Sequence, residues 1–312
     1  MDSLLVAARV VLPMALTMGI GMFLRVIGLI DRSTMKKMDI ITYKVLSSTL
    51  IFYNIYYTDF TQISNPQYLL YGFFGLTVMF CFALYFPYRW IPERTTAASF
   101  GQGIFRANYI IFGAAVATSV YGPGNIGLVM MMGALTLPII NAMSVIILEV
   151  GCQGKSVTVK SLVMPVITNP IIIATILGLI INFIGIKIPN IFMEVVEDLA
   201  NMTTPMSFLS IGVSLSMQAF TKKRILFTAV SLRLLILPLV LVTGAILLGF
   251  RGIELCSLLV LFAAPSAVNS YPTAVAMGAD GDFAGQMVAA TTVCCLPTFF
   301  VWTLVLNSLG LL

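Results

Sequence analysis

Polar side chains that could bind an anion lie in two interrupted stretches of the chain, at 100–113 and 264–273. Amide and hydroxyl groups donate hydrogen bonds to carboxylate oxygens, and an arginine can bind a carboxylate through two parallel bonds. These residue types therefore favour recognition of a small organic anion. The candidate contacts are Arg106, Asn108, Asn269, Ser270 and Thr273.

The same residues also have a structural interpretation. Asn108, Asn269 and the two hydroxyls could simply satisfy backbone groups that a broken helix leaves unpaired. Arg106 lies roughly two turns into its predicted helix, so its side chain could instead extend to the membrane interface. The sequence alone leaves both interpretations open.

Residues that interrupt helices accompany these candidates. Gly113 is the predicted break in the first stretch, and Pro265 and Pro272 each remove a backbone donor in the second. Such breaks are tolerated inside a membrane only beside protein or a water-filled cavity, because unpaired backbone groups are costly in hydrocarbon. If the two breaks meet near the midplane, helix N-termini would direct partial positive charge at a bound anion.

Three further charges lie within or near predicted membrane spans. Arg233 lies near the middle of its span and needs either backbone carbonyls or substrate as a partner. Asp39 and Asp198, which are 159 residues apart, could carry a coupling proton or cation, or could anchor their helices at the interface. Neither H+ nor Na+ is identified as a coupling ion.

Residues for enzymatic chemistry are missing from the sequence. The chain contains no histidine, which removes the usual general base at neutral pH, the zinc motif His-Glu-x-x-His and any Ser-His-Asp triad. The cysteines show no Cys-x-x-Cys metal spacing. We therefore predict a protein that is not an enzyme and has no metal or cofactor.

Apolar helices must position these residues. The chain is 59% hydrophobic and 9% charged, with a mean hydropathy of +1.03, which is far from the composition of a soluble domain. Apolar runs long enough to cross a bilayer as helices recur along its whole length. We number these predicted spans 1 to 10: 4–30, 39–57, 68–88, 101–120, 125–149, 162–184, 195–217, 225–249, 254–277 and 283–309. The sequence thus predicts an all-α polytopic protein surrounded by a lipid bilayer.

Basic residues are distributed unevenly over the predicted loops. One side of the membrane holds ten of them, whereas the other holds only Lys187 and Arg251 outside the helices. Cytoplasmic loops carry the excess of Lys and Arg, so we expect loop 5–6 to be cytoplasmic and both termini to lie outside a cell (plasma) membrane. The net charge of +5 needs no nucleic acid to explain it.

Internal similarity divides the chain into repeats at 1–155 and 156–312. Three pairs share an offset of 157 residues: Pro13 with Pro170, Gly21 with Gly178, and Gly28 with Gly185. The same offset three times indicates a duplication. Each repeat holds five spans, an odd number, so the second must be inverted relative to the first. Chance alignment of glycines and prolines is the alternative.

Four segments resemble the auxin efflux carrier family, particularly its short bacterial permeases. They are 106–108 (RAN), 169–182 (NPIIIATILGLIIN), 204–215 (TPMSFLSIGVSL) and 233–238 (RLLILP). The resemblance implies a scaffold of spans 1, 2, 6 and 7 and a transport domain of spans 3–5 and 8–10, with broken spans 4 and 9 crossing at the substrate. It also implies a distant similarity in fold to bile acid sodium symporters.

The resemblance implies transport of carboxylates such as auxin, malate or malonate by an elevator-like motion. In one departure from the family, Ala114 and Ala115 follow Gly113 where a proline is common, so glycine alone would form the first break. We therefore predict a secondary transporter of small organic anions. The rival is a membrane sensor or channel that uses the same fold without coupled transport. The oligomeric state is open, with a homodimer as one option.

Overall fold

The structure is a computed structural model that describes residues 13, 16–57, 66–109, 112–113, 116–117, 121, 127–152, 167–214 and 222–312. The described part of the chain is 85% helical and contains no strand. The all-helical class predicted from the sequence is therefore confirmed.

Thirteen helices follow one another along these residues. They are α1 Leu16–Val26, α2 Arg32–Ile41, α3 Ser47–Tyr56, α4 Pro66–Trp90, α5 Arg94–Phe105, α6 Gly127–Cys152, α7 Pro170–Ile184, α8 Asn190–Ser214, α9 Lys223–Ser231, α10 Leu237–Leu247, α11 Gly252–Ala263, α12 Ser270–Ala276 and α13 Gly281–Ser308. A π-helical turn at Thr42–Leu46 joins α2 to α3, and another at Leu232–Ile236 joins α9 to α10. Both junctions continue a helix without ending it.

Several of these helices could cross a membrane. Among the described residues, three continuous helical runs are long and apolar enough: α4, the part of α6 from Met131, and the joined run Lys223–Leu247. Helix α13, bent by 42° near Pro297, would be a fourth. Helices α1, α7 and α11 are apolar but shorter. The structure fits a helical membrane protein, while the count of ten spans stays a prediction.

The largest hydrophobic core lies within one group of helices, which we call the large bundle: α4 to α6 and α9 to α13. Its buried residues come from 68–147 and 226–306, and helices α1 to α3, α7 and α8 contribute none of them. Helix α12 contributes none either, and we include it in this group because it follows α11 and packs against α13. Burial of aromatic and aliphatic side chains such as Phe100, Phe262 and Leu76 stabilises this group. The large bundle therefore has a core of its own.

Helices α1 to α3, α7 and α8 form a second group, the small bundle. Helix α3 packs along α7 and α8. Helices α1 and α8 approach so closely that a Cβ on Gly21 would clash with the Leu209 carbonyl, and one on Gly212 with the Met18 carbonyl. On the other side of this bundle, a Cβ on Gly178 of α7 would lie 3.2 Å from the Cβ of Ile55. Glycine is needed here for close helix packing.

An ionic cluster fastens one end of the large bundle. Lys222, just before α9, lies 2.6 Å from Glu93 Oε2 and 2.8 Å from Asp280 Oδ2, and it also donates to Thr96 Oγ1. Desolvation opposes ionisation of Asp280, but hydrogen bonds from Lys222 and Thr96 outweigh it and lower the pKa of that carboxyl. The Lys222 bond also lowers the pKa of Glu93. The cluster thus joins the starts of α5, α9 and α13.

Candidate functional site

Helices α5 and α11 both end where two extended segments of chain meet. Helix α5 ends at Phe105, and α11 ends at Ala263. The Asn108 amide then donates to the Pro265 carbonyl at 2.8 Å, and the Ala267 amide donates to the Arg106 carbonyl at 2.8 Å. Those bonds form an antiparallel bridge that satisfies backbone groups which neither helix could pair. We call this meeting point the crossing.

Arg233 holds the two helix ends of the crossing together. Its Nε donates to the Ala264 carbonyl at 2.7 Å, and its Nη1 donates to the Ile104 carbonyl at 3.1 Å. Carbonyls at helix C-termini carry partial negative charge, so a buried cation is favourable there. Arg233 is fully buried in this role, and its π-helical turn is a local feature that the sequence did not predict. All of the bonds described for Arg233 go to backbone carbonyls.

A cavity of about 130 Å³ lies in front of the crossing. One wall comes from the large bundle and the other from helices α3 and α8 of the small bundle. Aliphatic side chains such as Leu137 and Ile140 line part of it. The polar residues that line it are Asn54, Arg106, Asn108, Tyr109, Asn141, Thr203, Thr204, Ser207 and Asn269.

Arg106 supplies a buried cation at the edge of this cavity. It is 3% exposed, and its Nη2 donates to Asn141 Oδ1 at 2.8 Å while its Nη1 donates to Thr273 Oγ1 at 3.3 Å. These partners are neutral, and Arg106 makes no ion pair with any described residue. Its side chain lies within the protein and does not extend to an interface. A buried guanidinium without a counter-charge is costly, so the site is electrostatically incomplete.

Donor atoms without partners surround the same cavity. The side-chain nitrogens of Asn108 and Asn141 and the hydroxyl of Thr203 are buried and form no hydrogen bond with any residue that the structure describes. Buried polar groups are nearly always hydrogen-bonded in folded proteins. Three unused donors lining one cavity that also contains Arg106 therefore indicate a ligand site with a preference for acceptor groups.

The remaining candidate contacts differ in whether they line the cavity. Asn269 lines the cavity, and its carbonyl accepts from Thr273 Oγ1. Thr273 does not line the cavity but contacts Arg106, so it can orient the guanidinium. Ser270 is buried outside the cavity lining, with its hydroxyl unpartnered. Arg106, Asn108 and Asn269 thus come together as the sequence suggested, whereas Ser270 does not join them.

Two of the predicted helix breaks require correction. The break in span 4 lies at Arg106 to Asn108, and Gly113 is helical, with Val129 packed where its Cβ would be. Pro265 does lie in the break of span 9. Pro272, however, is the third residue of α12, a first-turn position where the missing amide removes no helical bond. Tertiary pairing across the crossing, and not the glycine, determines where span 4 opens.

The structure also changes the expectation that helix N-termini direct partial positive charge at a bound anion. At the start of α12 the Ser270 amide donates to the Ala267 carbonyl and the Tyr271 amide donates to the Val268 carbonyl. These two amides are therefore already occupied within the chain. The second half of span 4 lies largely outside the described residues. Side chains, with Arg106 first among them, supply the positive charge at this site.

The two candidate coupling carboxylates differ in their surroundings. Asp39 is 1% exposed and accepts a hydrogen bond from Ser210 Oγ of α8. Asp198 is exposed on α8. Interfacial anchoring therefore suits Asp198 but leaves the burial of Asp39 without an explanation. No group of three or more His, Cys, Asp or Glu side chains that could hold a metal occurs among the described residues.

Comparison with known proteins identifies the family of this chain. A family profile described as "Membrane transport protein" matches residues 6–303, which is nearly the whole chain. The chain belongs to the auxin efflux carrier family. A search of curated proteins finds no match. Members of the auxin efflux carrier family are membrane transport proteins and are generally not enzymes, so the cavity at the crossing is the candidate site for what is transported.

Two of the cavity residues with unused donors were not among the sequence candidates. Asn141 and Thr203 lie in apolar helices without a break beside them, where an isolated polar residue looks like an ordinary packing residue. One signal was present for each: Asn141 follows Pro138 within one turn, and Thr203 immediately precedes the family-like segment 204–215. Only the fold shows that both lie beside Arg106.

Proposed function

We propose that this member of the auxin efflux carrier family is a secondary transporter of small organic anions, with a carboxylate held at the crossing. The observation that supports this most strongly is the buried Arg106 guanidinium, which has only neutral partners and lines a cavity. A carboxylate there would supply the missing negative charge. It would also accept hydrogen bonds from Asn108, Asn141 and Thr203, whose donors are unused.

The charge and size of the cavity narrow the substrate class. Of the described residues that line the cavity, Arg106 alone is charged, so a single negative charge gives a neutral complex. The volume of about 130 Å³ is close to the roughly 150 Å³ of an engineered cavity that binds benzene. By size, short carboxylates such as acetate, lactate, malonate and malate suit this state better than an auxin-like acid, which needs a wider cavity. By charge, the singly charged acids acetate and lactate suit it best.

Alternating access is supported by the position of the cavity between the two bundles. Arg106 and Asn108 belong to the large bundle, while Thr203 and Ser207 belong to the small bundle. Movement of the large bundle against the small one would carry the anion with Arg106 and separate it from α8. In this elevator-type proposal the small bundle is the scaffold and the large bundle is the transport domain.

Reciprocal helix contacts support the inverted repeats on which that motion depends. Gly21 of the first repeat contacts α8 of the second, and its equivalent Gly178 contacts α3 of the first. Gly28 and Gly185 both have φ of 74° beyond the ends of α1 and α7. Residues that are equivalent in the proposed repeats thus have equivalent helix contacts and backbone conformations. The proposed location is the cell membrane, with loop 5–6 cytoplasmic.

Exchange in proteoliposomes tests this function. Purified protein would be reconstituted with one labelled acid inside and a panel of acids outside: acetate, lactate, malonate, malate and indole-3-acetate. We expect saturable exchange of at least one short acid, and its loss in Arg106→Gln. A sensor would show binding without exchange, and a channel would show flux that does not saturate; either result would reject secondary transport.

A further inference from the structure

Asp39 is a buried carboxylate that the proposed transport function does not yet use. It is 1% exposed, its Oδ1 accepts from Ser210 Oγ, and its Oδ2 is buried without any hydrogen bond. Asp39 makes no ion pair with a described residue. An ionised carboxylate in such surroundings is costly, because it has lost water and gained no counter-charge.

The groups that face Asp39 do not supply a neutralising charge. On its own helix, Lys36 and Lys37 are exposed and point to solvent. On α8, the acidic residues Glu194, Glu197 and Asp198 lie at least 12 residues before Ser210, roughly 18 Å along the helix. Arg25 of α1 donates to the carbonyl of Val213. That carbonyl lies close to one turn beyond Ser210 on α8.

Helix α12 contributes a further titratable neighbour, in addition to the buried Tyr43 in the π-helical turn that follows α2. The Tyr271 hydroxyl lies close enough to interact with Asp39. Its ring packs with Phe208 and Ile211, which flank Ser210 on α8. Asp39 is therefore enclosed between α2 and α8 of the small bundle and α12 of the large bundle, where the proposed transport motion would separate its neighbours.

Asp39 also lies near the anion cavity through one face of α8. Thr203 and Ser207 line the cavity, and Ser210 follows Ser207 by three residues, one turn along the same face. The rise over those residues is about 4.5 Å. Negative charge on Asp39 would therefore repel a carboxylate bound at Arg106, and this repulsion is strong where water is excluded.

We propose that Asp39 is a proton-binding site that takes up a proton when the anion binds at the crossing. Oδ2 accepts the proton from water to give a neutral carboxylic acid, and the proton returns to water when the anion leaves and α12 moves. This inference rests on the proposed function, because it requires an anion at Arg106. It makes binding of the anion and of the proton mutually favourable.

A proton suits this site better than a metal cation. Hard cations in proteins are held by about six or more oxygen ligands. Among the described residues, the hydroxyls of Ser210 and Tyr271 are the groups that interact with Asp39, which is fewer than such a cation needs. A proton needs a single oxygen, and Oδ2 accepts no hydrogen bond within the described part of the chain.

Proton uptake on anion binding is the direct test. Acetate or lactate would be added to purified protein in weakly buffered detergent solution with a pH indicator, from about pH 6 to about pH 8, where both acids are ionised. Wild type should take up protons as it binds, and its apparent dissociation constant should rise with pH by at most tenfold per unit. Asp39→Asn should bind without proton uptake, with an affinity that does not depend on pH.

Asp198→Asn is the matched control, because it removes the repeat-related but exposed carboxylate. It should behave as wild type. If Asp39→Asn does not fold, Ser210→Ala replaces it: loss of a hydrogen bond to the ionised form should move the pH dependence to higher pH. Proton uptake that persists in Asp39→Asn, or an unshifted profile in Ser210→Ala, would overturn the proposal.

Infrared spectroscopy separates failure of this inference from failure of the transport function. Without any substrate, the wild type should gain the carbonyl band of a buried carboxylic acid as the pH is lowered below neutral, and Asp39→Asn should not gain it. If acids exchange but the band is absent, Asp39 is not the proton site. If the band is present but no acid binds or exchanges, the transport function fails and the proposed link between proton and anion fails with it.

Discussion

The polar groups on the two sides of the crossing differ in whether their hydrogen bonds are satisfied. On one side, Arg233 binds the carbonyls at both helix ends, and Ser266 donates to the Gly103 carbonyl while its amide binds Thr291 Oγ1. On the cavity side, Arg106 has neutral partners and several donors are unused. We call these regions the satisfied side and the cavity side.

This difference teaches how function can be separated from stability around one helix break. An arginine whose bonds all go to backbone carbonyls stabilises the break and has little left for a ligand. An arginine that lines a cavity beside unpaired donors makes the folded protein less stable, but it can bind a ligand there. Residues on the satisfied side should therefore affect folding, and those on the cavity side should affect affinity.

Arg233→Met should have the largest effect. It removes the donors for the carbonyls of Ala264 and Ile104, and each buried carbonyl left unpaired costs about 1–3 kcal/mol. We expect a much lower midpoint of thermal unfolding, or failure to yield folded protein. Arg251→Met, which changes an exposed loop arginine, is the control. Equal stability of the two variants would remove the structural role of Arg233.

Arg106→Gln should come next, with an effect on binding. A hydrogen bond to a charged group contributes about 1.5–3 kcal/mol, so the affinity for a short carboxylate should fall by roughly 10- to 100-fold. Its unfolding midpoint should change less than that of Arg233→Met. Calorimetric titration with lactate would measure the affinity, with Arg106→Lys as a variant that keeps the charge. An affinity that Gln leaves unchanged would contradict an anion at Arg106.

Asn108→Ala and Asn141→Ala should each weaken binding by a smaller amount. A neutral hydrogen bond contributes about 0.5–1.5 kcal/mol, which corresponds to roughly two- to tenfold in affinity. Ser270→Ala is the control, because Ser270 is buried but outside the cavity lining. If Ser270→Ala weakened binding more than the asparagine variants, the cavity side would be wrongly placed.

Disruption of the Lys222 cluster should have the smallest effect, because its charges are partly exposed. The pKa values of the Glu93 and Asp280 carboxyls are lowered in the folded protein. The stability that these carboxylates contribute is therefore present above their usual pKa range and is lost as the pH falls through the lowered values. Below about pH 5 the wild type should therefore lose thermal stability more steeply than Lys222→Met. Lys223→Met, at an exposed neighbour, should follow the wild type; identical profiles for all three would contradict the cluster.

The sequence predicted part of the cavity side because its signals are local. Asn108 and Asn269 stood out as polar residues in glycine- or proline-interrupted apolar stretches. Asn141 and Thr203 did not, since each lies inside a continuous helix, α6 or α8, despite a nearby proline. Gly113 was misassigned because the opening of span 4 depends on pairing with Pro265 and Ala267, which are far away in the chain.

Burial of charges was the least predictable property. Asp39 and Asp198 look alike in the sequence, yet packing by α8 and α12 encloses the first and leaves the second exposed. Arg106 and Arg233 likewise differ only in what the fold places beside them. Helix content and apolar character, by contrast, follow from composition and periodicity, which each segment carries by itself.

A ligand-bound structure tests the central claim most directly. Protein prepared with the acid that exchanges fastest should show one carboxylate group between Arg106 and Asn108, within hydrogen-bond distance of Asn141 or Thr203, and Arg233 should keep its backbone partners. A carboxylate bound at Arg233, or bound away from the crossing with the cavity empty, would contradict the account.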